Sequence, residues 1–144
     1  MDGVLCNFEK GAIEAINREL ASENPKNPEL AAKVINDLGR NYVTVDDIQK
    51  FSPGKSSAAT KYMYKLAHDD VDFWANLEWQ PGGKQLWAYI RQFDPDILTS
   101  PMDKQGHNES LEGKLIWVER NLGLSPDKVN FAHDKYKYAV SEDG

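Results

Sequence analysis

Apolar positions recur at helical spacing through the first half of the chain, and in the second half short apolar runs join the helical stripes. In "EKGAIEAINREL", Ile13, Ile16 and Leu20 form one stripe with charged residues on the opposite face, the pattern of an amphipathic helix. "ENPKNP" breaks the chain, and Leu30, Val34, Ile35 and Leu38 stripe a second helix that ends at Gly39. "TVDDIQKF" predicts a third, short helix with Thr44 as its N-cap, stopped by "SPG". Residues 55–67 and the stretch "DDVDFWANL" also read as helical, so residues 12–80 form a helical block without a convincing strand.

The pattern changes at "WQPGGKQLWAYIRQF". Pro81 and two glycines end one segment, and Leu86, Ile90 and Phe93 stripe the next helix. "DPDILTSP" then gives a turn at Asp94-Pro95 and a short apolar run ending in Thr99-Ser100-Pro101, which reads as a buried strand. Leu111, Leu115, Val118 and Leu122 stripe a further helix closed by Gly123, and "DKVNFAH" is a second short apolar run. Strand, helix, strand is the order of a parallel α/β sheet. The opening "MDGVLCNFEKG" reads as the end of a buried strand turning into a loop, so the helical block would lie over the carboxyl end of that strand. Open α/β sheets bind ligands there, and the block could serve as a lid. No internal repeat or low-complexity tract appears.

Composition narrows this picture. At 144 residues, 40% hydrophobic and 28% charged, the chain can build one core, with or without a helical insertion. A formal net charge of −6 argues against sequence-independent nucleic-acid binding, which needs a basic face, but leaves room for a small phosphorylated ligand neutralised locally. The lone Cys6 excludes an intramolecular disulfide and a cysteine-rich zinc site, and fits a reducing compartment. Without a signal-like segment or an apolar run of membrane-spanning length, a cytoplasmic protein with no membrane partner is expected.

Three places could carry chemistry. Asp2-Gly3, an acid at a strand end followed by a residue that lets the backbone turn closely, suits a general acid/base or a metal-facing carbonyl; it is equally a common turn pair. Thr99 and Ser100 place hydroxyls and backbone N–H groups where strand becomes loop, a natural phosphate cradle, although Ser and Thr also cap helices. Lys135, after the second apolar run, can reach a phosphate oxygen as a point charge with Asp134 to orient it; beside Lys128 and Lys137 it is also an ordinary surface lysine. The aromatics Phe8, Phe73, Trp74, Trp79 and Trp87 read mainly as core, with Phe8 and Trp74 candidates for a pocket wall if the insert is a lid. His68, His107 and His133 lie at no metal-ligand spacing.

Taken in order, these pieces resemble a known group. "MDGVLCNF" is similar to the first motif of the haloacid dehalogenase superfamily, Asp-x-Asp-Gly after an apolar strand, and "ILTSP" to its second; Lys135 matches its third-motif lysine. The ordered set "FWANLEWQPGGKQLWAYI", "DILTSP", "GKLIWVERNLG" and "HDK" resembles the 5'(3')-deoxyribonucleotidases, over residues 1–11 and 72–139. The resemblance implies a Rossmannoid parallel sheet formed by residues 1–11 and 81–144, with residues 12–80 as a helical cap inserted after the first strand.

It also implies a magnesium-dependent phosphomonoesterase acting on nucleoside monophosphates through an aspartyl phosphate, which divides one hard hydrolysis into two easier steps. Asp2 would be the general acid/base, with its backbone carbonyl on the Mg2+ ion. Thr99 and Ser100 would bind phosphoryl oxygens, and Lys135 would stabilise their charge, Lys137 being a lesser substitute and Lys114 falling in the Lys-x-x-Trp helix instead. Phe8 would face the base pocket, with Trp74 on the same wall. The family's nucleophilic aspartate belongs directly ahead of Met1, and its last motif, a pair of aspartates on the metal, beyond Gly144. The 144 residues alone are therefore expected to be inactive and a longer parent active. An inactive binding module, a phosphatase for another small substrate or for a nucleic-acid terminal phosphate, and a homodimer all stay open.

Overall fold

The computed structural model describes residues 1–49, 57–100 and 109–131. It is a mixed α/β structure, mostly helical, with one two-stranded parallel sheet among the described residues. Helix α1 (Phe8–Ala21) starts where the Asn7 side chain accepts the Lys10 N–H at 3.1 Å, and it buries Ala12, Ile16 and Leu20. Helix α2 (Pro28–Leu38) has proline in its first turn and ends at Gly39, whose φ of 69° is the left-handed stop that a residue without Cβ takes without strain. Helix α3 (Val45–Gln49) follows Thr44. Asp47 reaches back to accept the Thr44 N–H at 2.7 Å and also takes Arg40 at 2.6 Å.

Helices α4 (Ala58–Asp69) and α5 (Val71–Ala75) are capped by Ser57 and Asp70, each accepting a backbone N–H at 3.1 Å. Helix α6 (Gly83–Ile90) runs into a 3-10 turn at Arg91–Phe93. Strand β1 (Ile97–Thr99), helix α7 (Glu109–Leu122) and strand β2 (Val129–Phe131) follow, with β1 and β2 parallel in the register Ile97↔Val129 and Thr99↔Phe131. This is the strand–helix–strand order read from the sequence. One contiguous core runs through all of it, with Ile16, Tyr62, Trp74 and Trp117 among its fully buried side chains. No helix among the described residues is long and apolar enough to cross a membrane.

Four local expectations change. Residues 1–6 are a tight turn rather than a strand: the Met1 carbonyl accepts the N–H groups of Val4, Leu5 and Cys6 at 3.3, 2.9 and 3.2 Å, so only the isolated bridges Asp2↔Cys6 and Cys6↔Trp79 form. Of the expected stripe, Leu86 in α6 and Phe93 in the 3-10 turn face outward, at 40% and 65% exposure, and Ile90 packs partly buried against the core, while Gly83 and Trp87 form the buried face of α6. Gly83 sets this rotation, because a Cβ there would lie 2.8 Å from the Leu5 carbonyl oxygen; the helix rests on bare backbone. In α7 the buried face is Ser110, Gly113, Lys114, Trp117 and Val118, so a lysine stands where the apolar pattern had no position for one. Helix α4 also begins at Ala58, inside the expected residues 55–67, and continues to Asp69.

Candidate functional site

Two anchors bring the N-terminal turn to the end of β1. The Asn7 N–H donates to the Glu78 carbonyl and the Gln80 N–H to the Leu5 carbonyl, both at 2.8 Å, fastening residues 5–7 to residues 78–80. The Trp79 ring then packs edge-on against Trp117 of α7, centroids 5.2 Å apart, and the Trp117 Nε1 donates to the Leu77 carbonyl at 2.7 Å. Lys114 precedes Trp117 by about one helical turn, so fixing Trp117 aims Lys114 at the same corner.

Lys114 is the centre of the arrangement. Its side chain is 1% exposed, and its Nζ donates to the Ser100 carbonyl oxygen at 2.5 Å and to Thr99 Oγ1 at 3.2 Å. Asp2 Oδ2 lies 3.5 Å away, and the ammonium stands 4.5 Å from the centroid of the Trp74 ring. A buried ammonium is costly unless polar and charged groups surround it, and here a carboxylate, a hydroxyl, a carbonyl and an aromatic face do so. Asp2 is the open side of the cluster, at 36% exposure. Cys6 lies beneath it, with its Sγ 3.6 Å from Asp2 Oδ1; burial, and then the neighbouring Asp2 charge, push the thiol up to about 12. Cys6 is thus a proton-bound, unreactive thiol.

Of the residues expected from the sequence, Asp2, Thr99 and Ser100 meet at this point. Phe8 and Trp74 lie at its back, in an aromatic group with Phe73: Phe8 is 5.6 Å from Phe73 and 5.2 Å from Trp74 by ring centroids. Trp74 is 1% exposed, and its Nε1 is taken up by the Ala67 carbonyl at 2.7 Å, so its ring is not an open wall. Lys135, with Asp134, Lys137, His107 and His133, lies outside the described residues. His68 is on the surface, 2.7 Å from Asp69. Lys114 is the member that the sequence reading left on its helix. The signal was Gly113 beside it: a glycine inside a helix costs about 1 kcal/mol against alanine and calls for a packing reason.

Magnesium calls for several hard oxygen ligands in octahedral array. Among the described residues no group of three or more His, Cys, Asp or Glu side chains is placed to hold a metal, and Asp2 faces an ammonium rather than a second carboxylate. These residues by themselves do not fit the ion. A groove of about 340 Å3 lies elsewhere, between α1 and α5, lined by Glu14, Arg18, Glu19, Lys26, Asp70 and Asp72. Its charges are of both signs, and Lys26 and Asp70 approach each other at 3.7 Å, the character of a solvated surface cleft rather than of a site with converging groups. Comparison with protein-family models, curated proteins and solved structures gives no match.

Proposed function

We propose that the corner formed by Asp2, Thr99, Ser100 and Lys114 binds the phosphoryl group of a small phosphomonoester, and that the chain belongs to a phosphomonoesterase acting on nucleoside monophosphates. The observation that carries this is the buried Lys114 ammonium, aimed between a hydroxyl, a strand-end carbonyl and a carboxylate. An ammonium held in a low-dielectric corner offers a fixed positive charge to an oxyanion, which is what phosphoryl transfer chiefly asks of a protein. Thr99 Oγ1 adds a hydroxyl that can donate, and Asp2, the exposed acid of the group, is positioned to exchange a proton with a leaving or attacking oxygen.

The β1–α7–β2 unit with its site at the carboxyl end of β1 supports a haloacid dehalogenase-like core, with the helices of residues 12–80 as its cap. In this proposal Lys114 takes the charge-neutralising role first given to Lys135. Magnesium and a nucleophilic aspartate come from the family resemblance, and the described residues supply neither. The experiment has two arms. Titration of the 144-residue chain with inorganic phosphate, followed by 31P NMR, is expected to show saturable binding. The chain carrying its natural flanking residues is expected to release phosphate from deoxynucleoside monophosphates, and to stop when EDTA is added. Binding without turnover in the longer chain leaves a binding module, and absence of both overturns the proposal.

A further inference from the structure

The aromatic partner of Lys114 is held by packing that leaves no spare room. A Cβ on Gly113 would lie 2.5 Å from the Trp74 Cβ and 2.6 Å from the Val71 carbonyl oxygen, both parts of the structure that cannot swing aside. Helices α5 and α7 therefore meet backbone to backbone at Gly113, and the next residue, Lys114, has its ammonium 4.5 Å from the Trp74 ring centroid. The ring's orientation is fixed independently by the 2.7 Å hydrogen bond from Nε1 to the Ala67 carbonyl and by the edge of Phe73, 5.4 Å away. An aromatic face attracts a cation without offering a lone pair that would compete for its protons. Two N–H donors of the ammonium reach the Ser100 carbonyl oxygen at 2.5 Å and Thr99 Oγ1 at 3.2 Å, with Asp2 Oδ2 3.5 Å away.

We infer that Trp74 is a positioning residue for Lys114, its ring face aiming the ammonium at the Thr99–Ser100 corner rather than stacking on a ligand's base. With Lys114 over the ring and Phe8 and Phe73 packed against it, neither face is left for a ligand. The consequence for binding rests on the phosphate proposal above, whereas the contact itself does not.

The test uses the 144-residue chain and two readouts. Protons on Lys114 Cε near an aromatic face are shielded by its ring current, so their NMR signals are expected upfield of ordinary lysine values, and they are expected to move back in Trp74→Leu while staying shielded in Trp74→Phe. Inorganic phosphate affinity, followed by 31P NMR, is expected to fall about tenfold in Trp74→Leu and to stay within about threefold of wild type in Trp74→Phe. A merely structural tryptophan would lower the melting temperature in both variants without separating them in phosphate affinity. Lys114 signals at ordinary values in the wild type, or Trp74→Leu binding phosphate as tightly as wild type, overturns the inference. Phosphate binding by neither wild type nor variants, with the shielding present, overturns the phosphate proposal and leaves the Lys114–Trp74 contact established. Should Trp74→Leu fail to fold, the wild-type shielding and the Trp74→Phe affinity still decide the matter.

Discussion

Replacing Lys114 with methionine separates what the lysine does for the fold from what it does for a ligand. The stem is matched closely in length and shape, so no large cavity opens; only the charge and its donors go. On the debit side, the Ser100 carbonyl loses a donor at 2.5 Å and Thr99 Oγ1 one at 3.2 Å, and a buried oxygen left unsatisfied costs about 1–3 kcal/mol. The Asp2 attraction adds little: two unit charges at 3.5 Å interact by roughly 5 kcal/mol at an effective dielectric near 20, but Asp2 is 36% exposed and screening leaves about 1 kcal/mol. On the credit side, the ammonium need no longer be taken out of water, a relief of several kcal/mol in real proteins. Asp2, being the partly exposed partner, returns to solvent.

The two sides nearly cancel, so Lys114→Met is expected to unfold within about 2 kcal/mol of wild type in urea, on either side of it. Phosphate affinity has no such compensation, because losing a charge-assisted hydrogen bond of about 1.5–3 kcal/mol weakens binding by roughly 10- to 150-fold. Lys114→Ala serves as the control: it removes packing as well as charge and is expected to lose about 2–4 kcal/mol of stability besides the affinity. The measurements are urea denaturation by tryptophan fluorescence and the 31P phosphate titration. Undiminished phosphate affinity in Lys114→Met, whatever its stability, refutes the reasoning and reduces Lys114 to a structural peg.

Other substitutions probe the same corner. Asp2→Asn removes the charge that competes with an oxyanion for Lys114 and is expected to tighten phosphate binding by about fivefold, while any turnover in the longer chain is lost with the proton-transfer group; weaker binding would show that Asp2 holds the ammonium in place instead. Gly113→Ala forces α5 and α7 apart at Trp74 and should cost about 1–3 kcal/mol, read as a lower urea midpoint; a neutral or stabilising effect would mean the helices are not in backbone contact there. Cys6, with its thiol pushed up to about 12 from 9.0, should react with a disulfide reagent at pH 8 about a thousandfold more slowly in the folded chain than in urea, in keeping with its lower thiolate fraction. The sign follows from the raised value: the folded chain keeps a proton that the unfolded chain loses, so this contribution is full below about pH 9 and is lost as pH rises toward 12.

The elements that announced themselves in the sequence are those with a local physical cause. Asn7, Pro28, Gly39 and Asp70 each act on their own few residues of backbone, and β1 and β2 come from short apolar runs, the second interrupted by Asn130. Where a feature depends on what lies across the core, sequence pattern misleads. Leu86 and Phe93 carry the apolar stripe over α6 and the turn after it as convincingly as Trp87 does, and Gly83 resting on the Leu5 carbonyl favours the Trp87 face. Met1–Cys6 reads as a strand end because it is apolar, yet the Met1 carbonyl gathers its N–H groups into a turn.

Lys114 is the extreme of this kind. Hydropathy assigns a lysine on an amphipathic helix to solvent, and Leu111 and Leu115 draw the stripe past it on either side. Yet Ser110, Gly113, Lys114, Trp117 and Val118 also repeat at helical spacing, a buried face on which only Trp117 and Val118 are strongly hydrophobic. A glycine in mid-helix beside a buried lysine lets another backbone come close enough to enclose the ammonium, and the enclosure is what gives the charge its direction. The fold therefore reads from apolar pattern, whereas the site reads from the positions where that pattern is violated and the violation is compensated by Asp2, Thr99, Ser100 and Trp74.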